Sequence, residues 1–374
     1  MSLENFQSLS KEQQEKLLNG PALAPPPGVV PNLDNPPQHN AGAHALLAIC
    51  LILTVFALSI RAYSRIFQSK SLQVADYLAV IGFGCYVGYI YINYWFMNTS
   101  GFFVHQWDVR MRDAFTVSYI IHVGTNLYGI AVLGLKAAIL VDWMGIFVPR
   151  GSRTPFWWAS VLVLSLNTLW YLSNRIMENF HCIPFKRIWD LTVPGTCYDW
   201  TYGLLAASSI NVISDFAIFI LPQATIWRLN MPRRRKIGLS VIFMLGLLGC
   251  VAATIRLAQT VKYVRSDDKV YTVSSMTLAA VAEMTCGFIV FGLPYSVKVF
   301  NGENLLLKLV SSLISLIGLV SKKQTGSNRD PGHRWSQTPQ GVKPSEEYLI
   351  LDDNGIPLAP RPTSKDASTV VTQV

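Results

Sequence analysis

The chain has 374 residues, of which 51% are apolar or aromatic and only 14% are charged, and its mean hydropathy is +0.33. Soluble domains carry about 25% charged residues, so this composition excludes an ordinary soluble protein. The net charge of +9 does not indicate nucleic-acid binding, because the basic residues lie in short intervals between apolar runs and in the C-terminal tail.

Residues 1–43 precede the apolar runs and are predicted to form a proline-rich extracellular or lumenal segment. Within it, Ser10 to Leu18 is predicted to form a short amphipathic helix. The stretch GPALAPPPGVVPNLDNPPQHN follows, and it should be extended because proline removes backbone donors and fixes φ. No apolar core of a cleavable signal peptide is visible in the first forty residues.

Seven apolar runs are long enough to cross a bilayer, which takes about 20 residues of helix. They lie at 44–66, 76–97, 114–147, 155–177, 202–227, 237–261 and 273–297. We therefore predict an all-α membrane protein with seven transmembrane helices in a domain at 44–300. The third run is longer than a bilayer requires, so its helix should tilt or project.

Residues 301–320 are apolar, but Lys308, Ser311, Ser312 and Ser315 recur at three- and four-residue spacing. This polar stripe predicts an amphipathic helix that lies in the inner interface; the alternative is an eighth span. Residues 321–374 are rich in Ser, Thr, Pro, Asp and Lys, and we expect a disordered cytosolic tail there.

The distribution of Lys and Arg predicts the orientation, because cytoplasmic loops carry an excess of these residues. With the N-terminus outside, the inner loops carry ten Lys and Arg residues before the tail and the outer loops carry seven. The inner count includes Arg61, Arg65 and the basic run Arg233, Arg234, Arg235 and Lys236. We predict that the N-terminus is outside and the C-terminus cytosolic, in the plasma membrane or a secretory-pathway membrane.

This orientation places two features outside. Asn98 begins an Asn-Thr-Ser sequon and is a predicted glycosylation site. Cys182 and Cys197 lie fifteen residues apart in an outer loop, where an oxidising compartment favours a disulfide worth about 3 kcal/mol. Free thiols and a metal site are the alternatives, but beyond His181 no fourth metal ligand lies nearby.

Several segments of the chain resemble a known family. They are the loop pattern C-x-P-x-x-x-x-W-D…G-x-C and the segments RAYSRIF, LKAAILVDWMGIFVP, NVISDFAIFILPQATIWRLNMPRRRK and MTLAAVAEMTCGFIVFGLPY. Together they resemble the fungal rhodopsin-domain integral membrane proteins, a family named after a satratoxin-cluster protein. The resemblance implies seven helices, a fungal source and frequent association with secondary-metabolite genes. It implies receptor-like behaviour for some relatives and no settled activity.

Six polar side chains inside the apolar runs are candidates for function, because at about 1.5 Å per residue they lie in the outer half or near the middle of the bilayer. They are His122, Asn126, Asn211, Asp215, Arg256 and Glu283. Ionisable groups at this depth are costly and usually functional or paired. We predict that the six converge on an outward-opening cavity for a small apolar or amphipathic ligand. The alternative is an internal hydrogen-bond network without a ligand.

Two finer predictions concern the charged groups. Arg256 is expected to pair with Glu283, with Asp215 as the second choice, because a lone charge at this depth is expensive. Lys136 and Asp142 lie nearer the inner end of the third run, where we expect them to snorkel or pair.

No cofactor is predicted. Retinal needs a lysine midway along the last span, but that run carries Glu283 there and its only lysine, Lys298, lies at the inner end. No metal site is predicted either, and no soluble-enzyme motif is present.

The favoured function is a receptor-like sensor, with a cytosolic signalling partner at Arg233–Lys236 and the tail. One alternative is a membrane-embedded biosynthetic enzyme in which Asp215 or Glu283 supplies a proton. The other is a transporter or scaffold for the products of a secondary-metabolite pathway.

Overall fold

A computed structural model describes residues 8–69, 71–148, 152–226 and 233–301. Its helices are α1 (Lys11–Asn19), α2 (Asn40–Tyr63), α3 (Val74–Thr99), α4 (Met111–Phe147), α5 (Pro155–Asn179), α6 (Thr201–Ile226), α7 (Arg233–Arg265) and α8 (Lys269–Asn301). The strands β1 (Cys182–Ile183) and β2 (Thr196–Cys197) form a small antiparallel ribbon between α5 and α6. The all-α prediction is confirmed apart from this ribbon.

Six helices in the described residues are long and apolar enough to cross a membrane: Asn40–Phe67, Val74–Thr99, Met111–Phe147, Thr201–Gln223, Met244–Arg265 and Lys269–Gly292. The predicted fourth span coincides with α5, which has 25 residues but carries Asn167, Asn174, Arg175 and Glu178 among its apolar side chains. The membrane class is therefore confirmed, while the count of seven and the orientation stay predictions.

The N-terminal segment matches its predicted local structure. Ser10 caps α1, because its hydroxyl accepts from the Gln13 amide while the Gln13 side chain accepts from the Ser10 amide. Beyond α1 the chain is non-helical up to α2, as its prolines predict. It is held against the loop before α4, where the Ala22 amide donates to Val109 O at 2.8 Å.

Small residues allow the long helices to approach closely. A Cβ atom on Gly82 of α3 would lie 3.2 Å from the carbonyl oxygen of Ala131 on α4, and one on Gly134 of α4 would lie 3.2 Å from that of Leu78. Such contacts are typical of helices that associate in lipid, where apolar side chains gain nothing by leaving the solvent. Large apolar side chains such as Ile52 and Phe56 remain exposed on the outer surface of α2.

Close contacts of Gly82 with Ala131 and of Gly134 with Leu78 make α3 and α4 antiparallel, and the described residues have two ends. The loop end holds the β1–β2 ribbon between α5 and α6; the opposite end holds the C-terminus of α2 and the start of α7. The basic run opens α7 at Arg233, and its side chains lie outside the described residues. So do the predicted interfacial helix beyond Asn301 and the predicted tail at 321–374.

Candidate functional site

The two loop cysteines are joined in a disulfide. Cys182 on β1 and Cys197 on β2 lie directly opposite each other, with Cα atoms 4.1 Å apart. The disulfide prediction is confirmed, and the alternatives of two free thiols or a metal site at these cysteines are wrong. Asn98, the predicted glycosylation site, is exposed near the end of α3, and its modification stays a prediction.

The loop closed by this disulfide rests on α4 through aromatic side chains. The rings of Phe185 and Trp189 lie 5.7 and 5.9 Å from that of His122, and Trp189 also contacts Tyr119 at 5.2 Å. Burial alone would raise the pKa of the Asp190 carboxyl, but hydrogen bonds from Thr192 and the ammonium of Lys186 hold that pKa below its ordinary value. The loop is therefore a constrained cover over the end of α4.

A buried network of two cations and two anions connects α4, α6, α7 and α8. It contains two ion pairs, Arg256–Glu283 at 2.7 Å and Lys136–Asp215 at 2.8 Å. The predicted Arg256–Glu283 pair is present. Lys136, which we expected to snorkel or pair near the inner end of the third run, is paired with Asp215 of α6. We call these four residues and their hydrogen-bond partners the central network.

Asn211 links the two ion pairs. Its amide nitrogen donates to Glu283 Oε1 at 2.7 Å and to Asp215 Oδ2 at 3.2 Å, while its oxygen accepts from Lys136 Nζ at 2.9 Å. Tyr171 of α5 donates its hydroxyl to the same oxygen, and Tyr128 donates to Glu283 Oε1 at 2.9 Å. The charges thus compensate each other inside a low-dielectric interior, where a lone charge is expensive.

A cavity of about 280 Å³ extends from the disulfide loop to the central network. We call it the loop-end cavity. Its lining includes His181, Ile188 and Trp200 at the loop, and Tyr128, Tyr171, Asn211 and Arg256 at the network. Small-molecule sites are typically mostly apolar clefts with a few convergent polar groups and volumes of roughly 300–1,000 Å³. The loop-end cavity has that character at the lower end of the range.

A second cavity, of about 150 Å³, lies on the other side of the central network among α4, α6, α7 and α8. We call it the apolar cavity. Lys136, Asp215, Glu283 and Cys250 contribute polar or polarisable groups, while Trp143, Phe219 and Met284 are among the apolar ones. The central network therefore separates two cavities.

The six residues predicted to share one cavity do not all do so. His122, Asn211 and Arg256 line the loop-end cavity, whereas Asp215 and Glu283 line the apolar cavity. Asn126 lines neither; its amide is engaged with that of Asn179, in a bond of 2.8 Å from Asn179 Nδ2. Residue depth along a helix therefore does not determine which cavity a side chain lines, because the direction of the side chain also matters.

A second group of four charges lies at the opposite end of the helices. Arg61 donates from Nε to Asp76 at 2.8 Å, and from its two terminal nitrogens to Asp142 at 3.1 and 2.8 Å. Arg65 donates to Asp142 at 3.0 Å and approaches Asp76 at 3.4 Å. We call these four residues the end cluster; none of them lines the cavities described above.

The end cluster corrects part of the orientation argument. We counted Arg61 and Arg65 as loop charges, but they are only 3% and 4% exposed. Both lie in the last turns of the run at 44–66, Arg61 in α2 and Arg65 in the π-helical turn Ser64–Ser69 that follows it. Their ion pairs with Asp76 and Asp142 hold both guanidinium groups inside. Without Arg61 and Arg65, the predicted excess of basic residues in the inner loops depends mainly on the basic run that opens α7.

The fold and the buried networks together define a multi-pass helical membrane protein with a polar interior. The family model for the fungal rhodopsin domain matches residues 60–302. The chain belongs to the fungal rhodopsin domain family.

Curated relatives agree with this assignment. The chain is 36% identical over 351 residues to Fugralins biosynthesis cluster protein 2 of Gibberella zeae, covering 91% of this chain and 85% of that protein. It is 31% identical over 191 residues to a SAT4 family membrane protein of Emericella nidulans, covering 51% and 48%. It is 24% identical over 239 residues to Receptor GIN3 of Arthrobotrys oligospora, covering 62% and 55%. No solved structure matches the chain.

Proposed function

We propose that the chain is a receptor-like sensor whose small amphipathic ligand occupies the loop-end cavity. The observation that carries this proposal is the continuity of the cavity from a disulfide-constrained loop to a buried charge network. A similarity to a protein named as a receptor supports it. The similarity to a biosynthesis-cluster protein supports a link to a secondary-metabolite pathway.

The proposal includes seven spans with the N-terminus outside. Helix α5 has 25 residues, enough for a bilayer at about 1.5 Å per residue, and its Tyr171 hydroxyl reaches the central network. With α5 counted as a span, the disulfide lies on the same side as the N-terminus, and the basic run lies on the other. Disulfides persist in oxidising compartments and basic loops favour the cytosol, so both features support this orientation.

In this proposal the ligand acts through Arg256. Arg256 lines the cavity and is paired with Glu283, which shares Asn211 with the Lys136–Asp215 pair. A ligand that contacts Arg256 changes the electrostatic balance of a network that joins α4, α6, α7 and α8. Helix α7 continues from Arg256 to the basic run, which we propose as the contact for a cytosolic signalling partner, together with the tail.

One observation favours a second candidate function, transport. Two cavities adjoin the central network from opposite sides, as expected of a substrate path with a central barrier. The enzyme alternative has less support, because Asp215 and Glu283 are both held in ion pairs. Neither carboxyl is therefore positioned as an unpaired proton donor.

The test is to purify the protein with its native lipids and identify co-purified small molecules by mass spectrometry. Ala207 lines the loop-end cavity, so Ala207→Trp should fill it, while Ala48→Trp alters an exposed position on α2 and is the matched control. We expect a small molecule that accompanies the wild type and Ala48→Trp but not Ala207→Trp. A molecule retained equally by the wild type and both variants contradicts the proposal. If the co-purified molecule is carried across the membrane of proteoliposomes, that result favours transport.

A further inference from the structure

One buried arginine has most of its donors unused. Arg256 is 7% exposed, and its Nε donates to Glu283 Oε2 at 2.7 Å while its guanidinium carbon lies 4.8 Å from the centre of the Tyr128 ring. Within the described part of the chain, neither terminal nitrogen of Arg256 donates to an acceptor. The terminal nitrogens of Arg256 are not among the fully buried unpaired atoms of the described residues, and Arg256 lines the loop-end cavity. The two nitrogens are therefore available to an acceptor in that cavity.

Arg61 of the end cluster shows that this fold can engage the donors of a buried arginine. Arg61 is 3% exposed, and its donors are engaged by Asp76, Asp142 and the carbonyl oxygen of Phe291, the last at 2.8 Å. The same fold thus saturates one arginine and leaves another with unused donors. The difference coincides with a cavity, which Arg256 lines and Arg61 does not.

A second polar side chain in the loop-end cavity has no hydrogen-bond partner among the described residues. Asn174 of α5 lines the cavity and is 7% exposed. Over residues 8–69, 71–148, 152–226 and 233–301, its amide makes no hydrogen bond. Two polar side chains, on α5 and α7, therefore present unused hydrogen-bonding capacity to the same cavity.

The formal charges around the loop-end cavity are balanced. Arg175 is paired with Glu178, and Arg256 is paired with Glu283. The feature of the lining that would recognise a ligand is therefore the pair of unused terminal nitrogens of Arg256, which form a planar fork of donors. The aromatic members of the lining, suited to an apolar body, are Tyr89, Tyr128, Trp170, Tyr171, Trp200 and Tyr263.

We propose that the ligand of the loop-end cavity carries a carboxylate on an aromatic or aliphatic body, and that the two terminal nitrogens of Arg256 bind this carboxylate. The planar guanidinium fork matches a carboxylate with two parallel hydrogen bonds. Asn174 supplies a further donor. This inference rests on the proposed function, because it specifies the ligand of the same cavity.

The experiment uses benzoate and its neutral isostere benzamide as probes. The full chain in lipid nanodiscs is titrated with each probe, and binding is followed by saturation-transfer NMR. Four variants are compared with the wild type: Arg256→Lys, Asn174→Ala, Ala207→Trp and Ala48→Trp. Arg256→Lys keeps a positive charge beside Glu283 and removes only the fork, so the folded state is preserved while the bidentate contact is lost.

We expect benzoate to bind the wild type at least about tenfold more tightly than benzamide, because only the carboxylate pairs with the fork. Arg256→Lys should weaken benzoate binding by about tenfold or more, and Asn174→Ala by a few-fold. Ala207→Trp should abolish the signal, and Ala48→Trp should leave it unchanged.

Equal binding of the two probes, or benzoate binding that is unchanged in Arg256→Lys, overturns the carboxylate proposal. If that equal binding is still abolished by Ala207→Trp, the loop-end cavity remains a ligand site and the proposed function stands. If neither probe gives a signal that Ala207→Trp removes, both proposals fail.

Discussion

The protein contains two buried clusters of the same formal composition, each with two cations and two carboxylates. The end cluster is Arg61, Arg65, Asp76 and Asp142; the central network contains Lys136, Arg256, Asp215 and Glu283. In the end cluster Arg61 alone ties α2 to α3, α4 and α8. The central network adjoins two cavities, and its Arg256 has unused donors. Equal charge therefore does not imply an equal role: the first cluster joins helices, and the second is the one that we propose to contact a ligand.

The largest expected effect is in the end cluster. Asp142→Ala removes the carboxylate that engages both Arg61 and Arg65 and is itself 1% exposed. Two guanidinium groups then remain buried with one carboxylate, so we expect a loss of about 3–5 kcal/mol in the free energy of unfolding. Thermal and chemical unfolding in lipid nanodiscs measure it. The control is Asp34→Ala, which breaks the exposed Arg110–Asp34 pair and should cost at most about 1 kcal/mol.

The next effect is in the central network. Arg256→Ala and Glu283→Ala each leave the partner charge buried, and each should cost about 2–4 kcal/mol, somewhat less than Asp142→Ala because cavity water can hydrate the remaining charge. The double variant should cost less than the sum of the two, because it leaves no lone charge. Strict additivity in this double-mutant cycle would contradict the direct pair.

A smaller effect separates the hydrogen bonds of the central network from its charges. Tyr171→Phe removes the hydroxyl that donates to Asn211 and keeps the ring. We expect a loss of about 0.5–1.5 kcal/mol in the free energy of unfolding. Tyr202→Phe, at a position 79% exposed, is the control and should have no measurable effect. An equal loss in both variants would mean that the hydroxyl of Tyr171 contributes nothing specific.

The smallest effect concerns the disulfide loop that covers the loop-end cavity. The pKa of Asp190 is lowered in the folded protein, so its contribution to stability is complete above the unfolded-state value of about 3.9 and is lost as the pH falls through the folded-state value. Between about pH 6 and pH 3 the wild type should therefore lose more stability than Asp190→Asn, by less than about 1 kcal/mol. Asp267→Asn, at an exposed position before α8, provides the comparison, and a larger pH effect there would contradict the assignment.

Part of this arrangement could be predicted from the sequence, because each residue of a helix adds a fixed rise of about 1.5 Å and so gives an approximate depth in the membrane. The Arg256–Glu283 pair was predicted correctly on that basis, and the Cys182–Cys197 disulfide was predicted from two cysteines in one predicted outer loop. The direction of a side chain is set by how neighbouring helices rotate and pack, which one sequence does not specify. For that reason Asn126 was assigned to a cavity that it does not line.

Long side chains caused the remaining errors. Lys136 has a flexible stem that reaches Asp215 on another helix, and its position in an apolar run indicates burial but not a partner. Arg61 and Arg65 lie in the last turns of the run at 44–66, where basic residues commonly face a loop, and their ion pairs with Asp76 and Asp142 hold them inside. A pair of arginines one turn apart at the end of a span is the signal that could have indicated an internal cluster.

The most direct test of the central claim, that the loop-end cavity holds the ligand, is cysteine accessibility from the side of the disulfide. Ala207→Cys is placed in a background where the four unbonded cysteines of the described residues, Cys50, Cys85, Cys250 and Cys286, are replaced by alanine. Sealed vesicles of known orientation are treated with a membrane-impermeant, negatively charged thiol reagent. We predict modification of Cys at position 207 from the disulfide side and protection by benzoate. Modification only from the side of the basic run, or none at all in folded protein, would contradict the proposed ligand site.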